Sequence, residues 1–201
     1  MGFGLLALVV LCPAWWLGCR RRTSGPLQDT ATSIPGWQWY RAADPVLPSA
    51  FLYPASWSIR EERGRLEPSV QLRLLGVRNG EDTYTCFISI RSRPVQAAGG
   101  LSLHITDLIR QHTERLLEGA IIDDRHATHI AGLPAEELTV SYTIPPLYHQ
   151  GLKPLAIPVT TRTVLLERGG YGYELVYSAD AREYARYEPV FNRVLASLQF
   201  E

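Results

Sequence analysis

Few residues in this chain have types and spacings that could do chemistry. His126-Ala-Thr-His129 has the look of a metal pair, and Asp123-Asp124 just before it could supply an acid and a base. On a strand, however, residues an odd number apart point to opposite faces, so neither the two imidazoles nor the two adjacent carboxylates would converge. No HExxH or cysteine pair supports a metal there. His104 and His112 are eight apart on an expected helix, about 80° around it, which reads as a helix-surface placement. Gly169-Gly170-Tyr171-Gly172 lacks both the spacing of a dinucleotide loop and the Lys-Ser/Thr of a P-loop, and reads as a hairpin turn. Cys86 falls on an apolar strand face with no basic neighbour, where cysteine behaves as a small hydrophobe. No GxSxG elbow is present to activate a serine. The expectation is therefore no catalytic residue, no metal and no cofactor.

The elements that would position these residues are mostly strands. Tyr84, Cys86, Ile88 and Ile90 alternate with polar residues, and the run Val70 to Val77 precedes them. Asn79-Gly80 between the two runs predicts a hairpin with a type I′ turn. A second hairpin runs from Val159 through Gly169-Gly170 to Tyr177, with Tyr171, Tyr173, Leu175 and Tyr177 on one face. Leu138, Val140, Tyr142 and Ile144 mark a further strand, with residues near 121 to 130 as its neighbour. Helical spacing appears at Leu101, Ile105, Leu108, Ile109 and Leu116, after Gly99-Gly100. It returns at Tyr184, Tyr187, Phe191, Val194, Leu195 and Leu198, with Asp180 and Glu183 as a capping box and Pro189 expected to kink or restart the helix. Hairpins and two helices predict an α+β domain, a mainly antiparallel β-sheet flanked by helices.

At 201 residues and 46% hydrophobic, the chain has room for one ordinary domain and a leader. Twenty basic against twenty acidic residues give a formal charge of zero, so no global field draws it to nucleic acid. Residues 1–18 carry no charged side chain and, as a helix, would reach roughly 27 Å, the size of a signal peptide or a short membrane anchor. The stretch ends Trp16-Leu17-Gly18-Cys19, which resembles a bacterial lipobox, in which the cysteine is lipidated and becomes the N-terminus. The departures are Trp16 in place of the usual Leu and the lack of a basic residue before the apolar core. Arg20, Arg21 and Arg22 favour a rival reading, an uncleaved single-pass anchor whose flanking charge stays cytoplasmic. With Cys19 lipidated and Cys12 removed with the leader, Cys86 alone remains, too few for an internal disulfide. Residues 19–50, rich in Pro, Ser, Thr and Gly, read as a tether of roughly 30 Å reach, in which Trp37, Trp39 and Tyr40 could rest on the domain or at the lipid interface.

Phe51-Leu-Tyr-Pro-Ala-Ser-Trp57, the Gly-Tyr-Gly-Tyr-Glu-Leu-Val-Tyr-Ser segment and the closing Val194-Leu-Ala-Ser-Leu-Gln-Phe200 together resemble the PsbP-like domain group, over residues 51–201. That fold also occurs in DcrB-type bacterial lipoproteins. The resemblance implies an antiparallel sheet between helices and a binding role without catalysis; it transfers no site. Pro145 to Pro158 is a long connection with four prolines, and Leu147, Tyr148, Leu152, Leu155 and Ile157 offer apolar anchors for a partner or for packing over one end of the sheet. The expected function is a membrane-tethered, extracytoplasmic lipoprotein, periplasmic or at the cell surface, that binds a protein or envelope component. The alternative is a carrier of a small hydrophobic ligand or lipid, with a pocket at Tyr171, Tyr173, Tyr177 and Phe191; a hydrolase built on His126 or His149 with a carboxylate is a third.

The Gly18-Cys19 junction carries a direct test. The mature protein is expected to begin at an acylated Cys19, and Cys19→Ala to block maturation. An unprocessed N-terminus without lipid mass in a mass spectrum would leave the anchor reading instead.

Overall fold

The computed structural model describes residues 35–63, 69–78, 85–96, 104–114, 116, 119–145 and 156–200. The leader with Cys19, Asn79-Gly80, Gly99-Gly100, and Leu147, Tyr148, His149, Leu152 and Leu155 lie outside the described residues. One compact unit spans Ser33–Glu201. In chain order its elements are β1 (Trp37–Arg41), β2 (Ala50–Pro54), β3 (Ser58–Arg63), β4 (Val70–Arg78), β5 (Thr85–Pro94), α1 (Ile105–Glu114), β6 (Ile121–Ile130), β7 (Leu133–Ile144), β8 (Ile157–Arg168), β9 (Tyr171–Asp180) and α2 (Tyr184–Ala196). No helix among the described residues is long and apolar enough to cross a membrane.

Strands β3 to β9 form one antiparallel sheet in the order β3-β4-β5-β9-β8-β7-β6, and β1 pairs with β2 in a separate ribbon. The sheet is set by its central hairpin. Gly169 and Gly170 take φ of 58° and 81°, which lets a two-residue turn pair Arg168 with Tyr171. Pairings across the middle of the sheet keep apolar residues in rows: Leu72 lies opposite Ile90, Ile90 opposite Leu175, and Leu175 opposite Val164. This face is closed by α2, whose Phe191 and Val194 are fully buried, and by Phe51 of β2. The Phe191 ring stacks 5.6 Å from that of Tyr177, whose hydroxyl donates to the Tyr184 carbonyl at 2.6 Å. Ser197 ties the end of α2 to the ribbon by accepting from the Leu52 amide at 2.9 Å. The opposite face carries α1, about 15 Å long at ten residues, which docks mainly on β8 through Leu108 and an Ile105 amide that donates to Glu167.

Three expectations change. The 19–50 tether does not extend to residue 50: from Trp37 the chain is strand, Leu47 and Ala50 are buried, and Arg193 lies 4.6 Å over the Trp37 ring. Its turn-forming residues make the β1–β2 connection, where Asp44 accepts from the Val46 amide. The β4–β5 hairpin is present, with Leu74 opposite Ile88 and Arg78 opposite Thr85 across a register shift, which keeps Ile88 and Ile90 on the buried face; the Asn79-Gly80 turn lies outside the described residues. Asp180 does not cap α2, because its carboxylate is already taken by the backbone and side chain of Arg182, and Glu183 occupies the cap position. Finally, α2 does not restart at Pro189 but runs through it as one element.

Phe191→Ala should be among the most damaging substitutions in the domain. Loss of a fully buried ring that bridges sheet and helix costs about 3 to 5 kcal/mol, read as a lowered urea midpoint.

Candidate functional site

The sequence-predicted residues do not converge. His126 and His129 lie on edge strand β6, opposite Glu137 and Pro134 of the adjacent strand β7, so they point to different faces as the spacing requires. His126 Nδ1 is 2.8 Å from Asp124 Oδ2, and its Nε2 is 3.9 Å from Glu137. Glu137 cannot serve as a free base, because Arg162 holds both its oxygens at 2.6 and 3.0 Å. Arg162 in turn donates to Asn192 at 2.6 Å and lies over the Phe191 ring, which locks this string of charges to α2. A register shift between Ile122 and Asp124 separates the two aspartates, and Asp123 accepts from Ser141 at 2.6 Å. Among the described residues no three His, Cys, Asp or Glu side chains are grouped as metal ligands. Cys86 is buried, and burial pushes its thiol up to about 12, far from a reactive thiolate.

The pocket expected at Tyr171, Tyr173, Tyr177 and Phe191 is not there as drawn, since Tyr177 and Phe191 fill the space between sheet and α2. Tyr171 and Tyr173 instead line a cleft of about 500 Å³ with Asp44, Leu47 and Arg168, between the β1–β2 and β8–β9 connections. Its charges are engaged in the fold: Arg63 holds Asp44 at 2.7 Å and Arg168 stacks over Phe200.

A second cavity, about 380 Å³, lies on the α1 face. Its floor is a row of β7 residues, Leu138, Val140 and Tyr142, beside Thr161 and Thr163 of β8; its roof is Gln111, His112, Leu116 and Ala120. One end is polar. Glu174, in the middle of β9 and only 9% exposed, accepts from Arg93 at 2.8 Å, with His112 Nε2 at 3.2 Å and Arg91 at 3.7 Å. Burial alone would raise this carboxyl, but the His112 bond and charge, Arg91 and Arg93 outweigh it and hold Glu174 at about 2. His112 is thus no helix-surface residue; the α1 docking angle turns it onto the sheet.

One signal for this trough is present in the sequence. Glu174 sits inside a strand with buried residues on both pleats, and Arg91 and Arg93 alternate on β5, but their pairing spans 81 residues and is invisible before the sheet order is known. Chemically the trough can hold an apolar body and fix one polar end; it has no nucleophile beside a base.

The fold has solved counterparts. The chain is similar to cyanobacterial PsbP (CyanoP) from Synechocystis sp. PCC 6803, with 15% identity, 88% of this chain and 100% of that one covered, and a TM-score of 0.51. It is also similar to PA94, a Pseudomonas aeruginosa protein of unknown function, with 13% identity over 82% of this chain and 97% of that one, TM-score 0.50. No family model and no curated protein matches the chain. The fold is PsbP-like; at these identities the likeness speaks to fold alone.

Glu174 yields a pH prediction. Its folded value lies below the ordinary 4.5, so its contribution is fully present above about pH 4.5 and is lost as pH falls toward 2, amounting to about 3 kcal/mol. Urea midpoints measured across that window should fall steeply in the native protein. In Glu174→Gln the fall should be shallower, from a lower starting stability.

Proposed function

We propose that this chain is a membrane-tethered, extracytoplasmic lipoprotein, lipidated at Cys19, whose PsbP-like domain binds a partner protein or envelope component and catalyses nothing. The observation that carries this reading is a convergence at one corner of the sheet. Ile121 and Ile122, the exposed large hydrophobic residues among those described, are 64% and 41% exposed at the start of β6. Ile121 lies opposite Ser141, near the end of β7, and Ile144 pairs with Ile157 to close the 145–156 connection at that same end. Ile157 is therefore a half-buried strand residue that anchors the base of the connection rather than part of it. Leu147, Tyr148, Leu152 and Leu155, which lie outside the described residues, are the further apolar side chains this reading assigns to the partner. Successive strand residues face opposite sides of the sheet, so Ile121 and Ile122 leave an apolar side chain exposed on each side of this edge, open to a partner that wraps it.

The engaged carboxylates of the His126 cluster favour binding over hydrolysis. The carrier reading has its own support in the trough under α1, and extraction of lipid from the purified protein would distinguish it from a protein-binding role.

A photocrosslinker placed at Ile121 in the membrane-bound protein should give a discrete adduct with the partner, and one at Arg60 on the opposite edge strand should not. Replacing residues 146–155 with a short Gly-rich turn should remove the Ile121 adduct while leaving the melting temperature within a few degrees. A strongly destabilised variant that still forms the adduct would assign the connection to packing and reject it as the binding surface.

A further inference from the structure

We propose that the trough between α1 and strands β7 to β9 is a fatty-acid site, with the acyl chain along Leu138, Val140 and Tyr142 and its carboxylate on Arg91 and Arg93. The proposal rests on the carrier reading and adds the chemistry of the cargo. Three observations lead to it.

The first is charge. Arg91 and Arg93 face one carboxylate, Glu174, so the polar end keeps one formal positive charge in excess even with His112 neutral. Arg93 takes the short bond to Glu174. Arg91 stands at 3.7 Å from it, gives one donor to Gln71 at 3.1 Å, and remains 34% exposed. A single incoming anion would balance the set, and a guanidinium offers a planar fork that suits a carboxylate.

The second is confinement. The Arg93 and His112 side chains are only 19% and 28% exposed, so a carboxylate at the polar end meets partly desolvated donors, where a charged hydrogen bond is stronger than in open water. The volume, about 380 Å³, falls within the roughly 300–1,000 Å³ of small-molecule sites.

The third is length and direction. Val159 pairs Tyr142 with the Asp180 row, six residues along β9 from Glu174, so polar end and far apolar end are about 20 Å apart, the length of a long acyl chain. The far end, at Ala120 and Tyr142, leads toward exposed Ile122, which lies opposite Val140 on the same face, an apolar exit for a chain delivered from a bilayer.

The test uses the full chain in phospholipid vesicles and a photoreactive palmitate bearing a diazirine at mid-chain. Label should map to Leu116 and to residues 119–142, palmitate should compete about tenfold better than hexadecanol, and Arg91→Gln should erase that preference, the equivalent of about 1.4 kcal/mol. Val140→Glu should abolish labelling; if it does not fold, Ala120→Trp, which fills the trough from a connection, should do the same. Equal competition by palmitate and hexadecanol would overturn the acidic-headgroup assignment while leaving a hydrophobic carrier. Label on α2, or no competable label, would overturn the site and the carrier reading together.

Discussion

Strand β9 is buried on both of its faces, and that double burial is the constraint from which the rest of the architecture follows. Flanked by β5 and β8 at the middle of the sheet, it turns Tyr173, Leu175, Tyr177 and Ala179 one way and Glu174, Val176, Ser178 and Asp180 the other. The first set is nearly all apolar and is met by α2 and the β1–β2 ribbon with close aromatic packing. The second set is mixed and must be covered without stranding its polar groups. Arg93, Arg91 and His112 satisfy Glu174, Thr161 bonds Ser178 at 2.9 Å, and Arg182 wraps Asp180. The sheet is therefore closed on one side and, under a helix of only ten residues, left with a trough on the other.

This division accounts for what could be read beforehand. The alternation at Cys86, Ile88 and Ile90, the Gly169-Gly170 turn and the helical spacing near residue 191 are local signals, each decided within a dozen residues. The β4–β5 register, by contrast, belongs to the whole row from Leu72 to Val164 and was not legible from the residues between the two runs. Trp37, Trp39 and Tyr40 were legible as residues that could rest on the domain, but their pairing with β2 and contacts with Phe51 and α2 were not, because only the fold brings those segments together. Composition alone could not distinguish a Pro-rich tether from a Pro-rich connection between paired strands.

The trough was the least legible feature for the same reason. Its walls come from β5, α1, β7, β8 and β9, so no window of sequence contains more than a fraction of it. Histidine spacing drew attention to His126 and His129, yet the histidine that matters to the cavity is His112, which a surface reading of the helix set aside. A formal charge of zero over the chain likewise concealed a local excess of arginine beside Glu174. Exposed Ile122, opposite Val140, lies beside the trough, so this neighbourhood is assembled from segments that are far apart in sequence.

The central claim is that the two faces of the sheet differ in kind, one a closed core and the other an open binding trough. Methyl-resolved magnetic resonance of the full chain in lipid nanodiscs measures this face by face during a titration with palmitate. The account predicts saturable shifts at the Leu116, Leu138 and Val140 methyl groups, with those of Leu74, Leu175 and Val194 unmoved. Shifts centred on Leu175 and Val194, beneath α2, with the trough methyl groups silent would contradict it.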